Sequence, residues 1–453
     1  MFKLSSKNFK KYFSLRKKKR LVTLIALMII ILVGGGALAG YFIFKNNPNP
    51  QQEGQQQTQG NIYANFLSEI YDKIKENYWN KINDEELATL FKLGAEKITN
   101  TPQVLASNDK NGVLEMTNGI VDKLEENKKK DFTAQLAHLV LWNLKPFGRS
   151  ALYIKKDEEN LKNRVLNINP EENLYSILGV NDGASQEELN EAYRQKVNDL
   201  DGQKTEEAKQ QLEKVKYAYE VLSNAENKTR YDQTKTEPTV FGKLLRPHIL
   251  HLYISKISPT VLDDLKKETE RFENTGGLNT LILDLRANVG GSLDILPYLL
   301  GPFIGPNNYA FELFQQGDYE PFKTKIGWLP SLYIYKKVVI LADSNTQSSA
   351  EVMAATLKKY NVGVLLGTKT KGWGTIEKVY ELDHQIDTTE KYSIFLVNHL
   401  TLRDDNQPIE GSGVEPTIDI NDPDWEDKLL EYFNSNELVG AVKEAWDSPP
   451  GQI

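Results

Sequence analysis

The chain has 453 residues, of which 40% are hydrophobic and 10% aromatic, so it can fill roughly two to four folded cores and is not a disordered protein. Its net charge of −7 argues against a nucleic-acid binder. It contains no cysteine, which excludes disulfides, thiolate metal sites and a cysteine nucleophile.

The N-terminus combines a basic start with a long apolar run. Residues 1–20 hold nine lysines and arginines and no acid, and residues 21–44, LVTLIALMIIILVGGGALAGYFIF, carry no charge. This pattern predicts a transmembrane helix, with residues 1–20 cytoplasmic and the remainder outside the cell membrane. A cleaved signal peptide is the alternative, because Ala37-Leu38-Ala39 has the form of a cleavage site. The apolar residues that continue past this site favour an uncleaved anchor.

A linker and a helical unit come next. Residues 45–61 are polar and Gln-rich, as expected of a flexible tether. Residues 62–167 are predicted to form an N-terminal helical domain, because apolar side chains recur at helical spacing. The first such stripe comprises Phe66, Ile70, Ile74 and Tyr78.

Residues 168–236 predict a second helical unit, in which Ser185 and Glu188 form a capping box. The order of LYSILGV (174–180), AYEVLSN (218–224) and RYD (230–232) resembles a J-domain, the co-chaperone module. J-domains stimulate their chaperone ATPase through a His-Pro-Asp loop, but this chain has Asp201-Gly202-Gln203 at that place. We therefore interpret the insert as a structural or partner-recognition module.

The pattern changes again in residues 237–423. Four continuous apolar runs predict buried strands that alternate with helices, at 249–254, 281–285, 338–342 and 364–366. This alternation indicates an α/β core. The last residues, 424–453, are expected to form a helical tail.

Three segments of this core resemble the C-terminal processing, or tail-specific, serine peptidases. They are LNTLILDLRANVGGSLD (278–294), ILADSNTQSSAEVMAATLKKYNVGVLLGTKTKGWGT (340–375) and DNQPIEGSGVEPTIDI (405–420). The resemblance implies a ClpP/crotonase-like α/β core that acts on proteins or peptides. A PDZ domain usually lies where the J-like insert lies here. No phosphate loop, zinc spacing or calcium loop is found in the sequence, so we expect no metal and no cofactor.

The resemblance places a serine nucleophile at Ser348, three residues before Glu351 at the start of a helix. A helix N-terminus favours a developing oxyanion. The plainer interpretation is that Ser348 and Ser349 cap the helix. Gly290 and Gly291, together with Ser349, are expected to supply the N–H groups of an oxyanion hole, although a diglycine also suits a tight turn.

The general base is the doubtful part of this site. The lysine of the family pattern corresponds to Trp373, whose indole cannot accept a proton, and the assisting glutamine corresponds to Glu377. A related subgroup uses a histidine before the insert, where this chain has Arg149, which stays charged. Lys371 lies two residues from Trp373 and could serve as a displaced base, with Lys369 as a further candidate.

Three other polar residues have structural interpretations. His251 and His399 are candidates to approach a site, but a lone histidine in a strand is more often structural. Asp284, in the LDLR strand, is expected to fix neighbouring backbone or Arg286.

Three functions therefore stay open. The first is a membrane-anchored, extracytoplasmic protein that binds protein C-termini or unfolded segments, with proteolysis weak or absent. The second is an active serine endopeptidase that uses Ser348 and Lys371. The third is a scaffold that binds a partner through the J-like insert.

Overall fold

The computed structural model describes residues 61–203, 205–403 and 405–451. Its α-helices are α1 Ile62–Asn77, α2 Asp84–Thr99, α3 Lys110–Val121, α4 Glu126–Trp142, α5 Lys155–Val165, α6 Leu174–Leu178, α7 Gln186–Asp201, α8 Glu206–Ser223, α9 Ala225–Thr234, α10 Val261–Arg271, α11 Leu296–Ile304, α12 Pro330–Tyr333, α13 Ser349–Lys359, α14 Trp425–Phe433 and α15 Asn436–Asp447. Its strands are β1 Ala151–Ile154, β2 Val240–Arg246, β3 Ile249–Ile254, β4 Thr280–Asp284, β5 Tyr309–Gln315, β6 Asp318–Lys323, β7 Lys337–Ala342, β8 Val364–Gly367, β9 Thr375–Glu381, β10 Tyr392–Leu402 and β11 Ile418–Asp419.

The proposed membrane segment, residues 21–44, lies outside the described residues. Within residues 61–451, apart from 204 and 404, no helix has both the length and the apolar character needed to cross a bilayer.

A six-stranded sheet carries the α/β core, in the order β11-β8-β7-β4-β3-β2. All neighbours in it run parallel except β2, which pairs antiparallel with β3. The four apolar runs found in the sequence form β3, β4, β7 and β8. The α/β core expected from them is confirmed, because strands buried on both faces read as continuous apolar segments.

Helices cover both faces of this sheet. On one face, Leu250 and Leu252 of β3 share a core with Met353 of α13. On the other face, Ile249 of the same strand shares a core with Val442 of α15. This alternation follows from the two-residue period of a strand. It places α13, whose N-terminus bears Ser348, against the middle of the sheet.

A second, antiparallel sheet was not predicted from the sequence. It has the order β1-β10-β5-β6, and β9 pairs with the other side of β10. Residues 151–154 of β1 are joined to residues 392–395 of β10. Helices α1 to α4 pack on this sheet, so that Phe66 and Ile70 of α1 lie in one core with Ile394 and Leu396 of β10.

The J-like insert comprises α6 to α9 around its own apolar core, which contains Tyr175, Val215 and Tyr231. A β-bridge between Ile168 and Thr236 closes the insert at its base. The insert contacts the α/β core through Arg230, whose guanidinium lies 2.5 Å from the buried carboxylate of Asp264 on α10.

Candidate active site

Ser348 occupies a strained turn between β7 and α13. Its φ of 58° and ψ of −132° are rarely adopted by a residue with a side chain, and such strain is common at functional sites. At the start of α13, the N–H of Glu351 donates to the backbone carbonyl of Ser348 at 2.8 Å, and the Glu351 side chain accepts from the N–H of Ser348 at 3.0 Å.

The diglycine turn packs directly against Ser348. A Cβ atom on Gly290 would lie 2.7 Å from the Ser348 Cβ and 3.0 Å from the Ser349 nitrogen, so this position requires glycine. The φ angles of Gly290 and Gly291, 79° and 145°, impose the same requirement. The close approach of this turn fixes its backbone beside the hydroxyl-bearing residue.

The hydrogen bonds of this turn decide which amides are available. Gly290 donates its N–H to Asn288 Oδ1 at 2.8 Å, and its carbonyl accepts from Ile257 N–H at 3.0 Å. The N–H of Gly290, which was expected to line an oxyanion hole, is therefore engaged. Among the residues that the structure describes, the N–H groups of Gly291 and Ser349 have no acceptor.

The buried carboxylate of Glu351 joins the serine turn to the loop that contains Trp373. Its Oε2 accepts from the N–H of Ser348 at 3.0 Å and from the N–H of Trp373 at 2.8 Å. Its Oε1 accepts from the N–H of Gly372 at 2.7 Å and from the hydroxyl of Thr370 at 2.5 Å. Because one oxygen holds both Ser348 and Trp373, the two backbone nitrogens lie within the combined length of two hydrogen bonds.

Burial raises the pKa of Glu351, and these hydrogen bonds, beginning with the one from Thr370, lower it in part. Sequence reasoning used Glu351 only to locate Ser348 and missed this role. An acid at the third position of a helix is a common capping residue, so the sequence carried no sign that it also binds a loop about twenty residues downstream.

Trp373 and Arg149 contact each other. The Arg149 guanidinium carbon lies 3.3 Å from the centroid of the Trp373 ring, a close cation–π stack. Arg149 also pairs with Glu410 at 3.3 Å, and the other oxygen of Glu410 accepts from Gly374 N–H at 2.8 Å. Arg149 and Trp373, which lie far apart in sequence at the positions that the resemblance assigns to a histidine or lysine base, thus form one packed unit.

The two lysines of this loop are positioned differently. Lys371 is exposed, and its Nζ lies 5.7 Å from the centroid of the Trp373 ring. Its backbone N–H donates to the carbonyl of Thr346 at 3.0 Å, which ties the loop to the segment before Ser348. Lys369 pairs with Glu415 at 2.7 Å.

Glu377 accepts a hydrogen bond from the Trp373 side chain. Burial raises its pKa to about 7, against the lowering effects of hydrogen bonds from the Thr375 hydroxyl and the Trp373 side chain and of the Arg149 charge. The Thr375 hydroxyl donates to Glu377 Oε1 at 2.6 Å. The residue is therefore a carboxyl that can hold a proton near neutral pH.

The histidines have other surroundings. His251 Nε2 lies 3.0 Å from the fully buried carboxylate of Asp284, which also pairs with Arg286 at 2.7 Å. Arg286 donates to the carbonyls of Ala445 and Trp446 near the end of α15, so this cluster faces the helices on the side of the sheet opposite α13.

His399 is half-buried on β10, and burial lowers its pKa to about 4. Among residues 61–451, apart from 204 and 404, no group of three or more histidines and acids is placed to hold a metal ion.

The structure therefore brings together several residues that the family resemblance assigns to a hydrolytic site. It brings Ser348, Gly291, Ser349 and the loop of Trp373 together, and it supplies two amides without acceptors beside a serine. A serine hydroxyl attacks a carbonyl only when a base takes its proton. The positions to which the family resemblance assigns that base hold an indole and a guanidinium.

Comparison with known proteins confirms the family resemblance. Residues 248–420 match the model of peptidase family S41, and residues 173–232 match the DnaJ domain. The chain is 29% identical over 175 residues to a probable CtpA-like serine protease of Staphylococcus epidermidis, covering 39% of this chain and 34% of the relative. It is 26% identical over 200 residues to the carboxy-terminal processing protease CtpA of Bacillus subtilis, covering 44% of this chain and 40% of the relative. These matches thus span little more than a third of the relatives' own length.

Solved structures are also similar. A lipoprotein from Streptococcus agalactiae superposes with a TM-score of 0.44 and 12% identity, covering 85% of this chain and 99% of the lipoprotein. A putative S41 protease from Bacteroides fragilis superposes with a TM-score of 0.34 and 21% identity, covering 47% of this chain and 59% of that protein.

Proposed function

We propose that this chain is a membrane-anchored, extracytoplasmic protein of the S41 peptidase type that binds protein C-termini or unfolded segments and has lost proteolysis. The observation that carries the proposal is the stack of Arg149 on Trp373 at 3.3 Å. It fills the place of the general base with two groups that cannot accept a proton from Ser348.

The stack is also difficult to displace. Arg149 and Glu410 are both largely buried, with about a sixth of each side chain exposed (17% and 15%). Glu410 in turn holds the backbone of Gly374. A base that entered from elsewhere would have to break a packed ion pair and a cation–π contact, each worth on the order of 1 kcal/mol or more.

Two features support retained binding of a peptide. The N–H groups of Gly291 and Ser349 have no acceptor among the described residues, so they can donate hydrogen bonds to a peptide carbonyl. Strand β9 begins directly after Gly374 and pairs only with β10 within the described chain. Its other edge can accept an extended peptide as an added strand.

Lys371 supports a second candidate, a weak serine endopeptidase. Its Nζ lies 5.7 Å from the centroid of the Trp373 ring, within the same loop that Glu351 holds against Ser348. Against this candidate, the Lys371 side chain is exposed, and a catalytic lysine usually needs burial to become neutral. The lost-proteolysis proposal is therefore the better supported of the two.

One comparison separates the candidates. The full chain is incubated with an unstructured protein beside its Ser348→Ala and Lys371→Ala variants. We expect no cleavage by any of them, and expect the unstructured protein to bind the wild type and Ser348→Ala alike. Cleavage that disappears in both variants would refute the lost-proteolysis proposal and establish Lys371 as the base.

The Trp373→Lys variant then tests the rest of the site. If only the base is missing, this variant should cleave the same protein, and adding Ser348→Ala to it should abolish the cleavage. The membrane topology is tested separately, by asking whether a protease added outside intact cells degrades the domains after residue 61.

A further inference from the structure

Residues 321–342 have a composition unlike that of the chain as a whole. This segment, PFKTKIGWLPSLYIYKKVVILA, contains four lysines and no acid, although the chain carries a net charge of −7. It runs from the end of β6 through the short helix α12 into β7. It includes neither the Ser348 turn nor the Trp373 loop, and it lies outside the J-like insert.

One side of this segment is buried. Leu332 and Tyr335 lie in the core that covers one face of the six-stranded sheet. The Ser331 hydroxyl oxygen lies 2.8 Å from the hydroxyl oxygen of Thr269 on α10, and both side chains are buried. These contacts fix α12 against the body of the protein.

The loop before α12 is held closely on helix α11. Lys325 donates its backbone N–H to the carbonyl of Pro297 at 2.9 Å. A Cβ atom on Gly301 would lie 2.1 Å from the carbonyl oxygen of Ile326, so this approach requires glycine. The side chains that the loop presents to solvent therefore have a fixed support.

Several large apolar side chains of this region remain exposed. Trp328 is 53% exposed and Tyr333 67%, and their rings lie 5.8 Å apart in an edge-to-face arrangement. Ile334 beside them and Tyr298 of α11, next to Pro297, are each 38% exposed. We call Tyr298, Trp328, Tyr333 and Ile334 the aromatic surface. Clustered exposed apolar residues on a folded domain indicate an interaction site.

Lysines surround the aromatic surface without acidic partners. Lys323, Lys325 and Lys336 are exposed, and Lys337 is half-buried. The Lys336 ammonium lies 5.8 Å from the centroid of the Tyr333 ring. Within the described part of the chain, none of the four lysines forms an ion pair with a carboxylate. Their charges are therefore available to an anionic partner.

The charge and shape of this region narrow the choice of partner. A symmetric contact between two copies would place the lysine-bearing surface against itself, where like charges repel. The exposed acids nearby in sequence on the adjoining segments, Glu270, Glu273 and Asp294, pair with none of these lysines. A bound peptide needs a groove or a strand edge, whereas the rings of Trp328 and Tyr333 are more than half exposed.

We propose that the aromatic surface and its lysines bind the anionic headgroups of a lipid bilayer. Tryptophan and tyrosine favour the headgroup level of a membrane, because their rings are apolar and carry one polar group. Each lysine near an anionic bilayer strengthens such a contact about fivefold. The proposal rests on the membrane anchor of the proposed function, which keeps the surface close to the bilayer and makes this second contact intramolecular.

The test places the full chain in lipid nanodiscs and measures quenching of its tryptophan fluorescence. The discs contain phosphatidylcholine brominated near the headgroup end of its acyl chains, either alone or mixed with anionic phosphatidylglycerol. Bromine quenches a tryptophan that contacts it. Trp328→Phe removes the proposed reporter, and Trp142→Phe is the matched control, since Trp142 is 49% exposed on α4.

We expect stronger quenching in the anionic discs than in phosphatidylcholine alone. Trp328→Phe should abolish this difference, and Trp142→Phe should leave it unchanged. Lys325→Gln or Lys336→Gln should each lower the equilibrium constant of the contact, calculated from the quenched fraction, about fivefold. Lys162→Gln is the control for charge, because Lys162 is exposed on α5, and it should have no effect.

Three results would overturn the proposal. The first is equal quenching in the two kinds of disc, and the second is an anionic-lipid effect that survives Trp328→Phe, since another surface would then bind. The third is an effect of Lys325→Gln and Lys336→Gln no larger than that of Lys162→Gln. Shielding of Trp328 only in discs that hold two chains would likewise overturn it and assign the surface to a second copy.

The outcome also separates this proposal from the proposed function. A chain that stays in the discs without contact at Trp328 refutes the lipid-binding surface and leaves the anchor and peptide binding intact. A chain that does not enter the discs refutes the anchor. Adding the same discs to the free chain then tests the surface directly, and quenching independent of Trp328 refutes it as well.

Discussion

Replacement of Glu351 by glutamine should loosen the loop of Trp373 from the serine turn. The carboxylate has no exposed surface and accepts four hydrogen bonds, two at each oxygen. In Glu351→Gln one oxygen becomes an NH₂ group, which faces two donors and cannot accept from either. Only the other pair of hydrogen bonds keeps an acceptor.

The magnitude follows from this count. Each buried donor that loses its acceptor costs about 1–3 kcal/mol. Burial of the carboxylate raises the pKa of Glu351, so replacing it with a neutral amide removes a desolvation cost and offsets part of this loss. We therefore expect the free energy of unfolding to fall by about 2–4 kcal/mol. The matched control is Glu415→Gln, an exposed acid paired with Lys369, which should change it by less than about 1 kcal/mol.

Two measurements check this expectation. Denaturant unfolding gives the change in stability, and hydrogen exchange of the Ser348, Gly372 and Trp373 amides reports the loop itself. In Glu351→Gln, we expect faster exchange at the amides whose acceptor becomes the NH₂ group. If stability stays within about 0.5 kcal/mol of wild type and all three amides remain protected, the carboxylate does not hold the loop and the reasoning is wrong.

Two further predictions concern buried acids. The pKa of Glu377 is about 7 in the folded state, against an ordinary value of 4.5. As pH rises, the folded state therefore keeps this proton longer than the unfolded state does. The free energy of unfolding should fall by at most about 3 kcal/mol between pH 4.5 and 7 and then level off. Denaturant unfolding measured across pH should show that Glu377→Gln removes this part of the fall in the free energy of unfolding. The part due to Glu220, whose pKa burial also raises to about 7, should remain. An unchanged pH dependence would contradict the raised pKa of Glu377. Arg230→Met should destabilise the chain by about 3 kcal/mol, because it leaves the buried Asp264 carboxylate without its cation. Lys267→Met, at an exposed pair with Glu226 between the same two helices, should cost less than about 1 kcal/mol, and equal costs in the two variants would show that burial of the Asp264 pair is not what matters.

Local signals in the sequence located several parts of this structure. The apolar runs correctly located strands β3, β4, β7 and β8. A strand that is buried on both faces has a continuous apolar sequence, which can be recognised without knowing which strands pair with it. Ser185 and Glu188 form the capping box that the spacing indicated, at the start of α7. The family motifs led to Ser348 and to the indole at position 373, and the diglycine does lie against that serine.

The antiparallel sheet is an example of what the sequence did not reveal. Strand β10 pairs with β1 more than two hundred residues away, and β9 has an irregular pattern of buried and exposed residues. Strand pairing over such distances depends on packing against α1 to α4, which no local period encodes.

By itself, the sequence predicted a nucleophile position at Ser348 and an indole at the position of the usual base, because both predictions depend on residue identity at motif positions. Only the tertiary structure decided what Arg149 and Trp373 contact. Arg149 and Trp373 are separated along the chain by the whole insert, yet they stack at 3.3 Å, and a carboxylate at Glu351 fixes the loop that carries one of them. Cation–π stacking and hydrogen bonding act over a few ångströms of space regardless of separation in sequence, so these contacts exist only once the sheets and helices have packed.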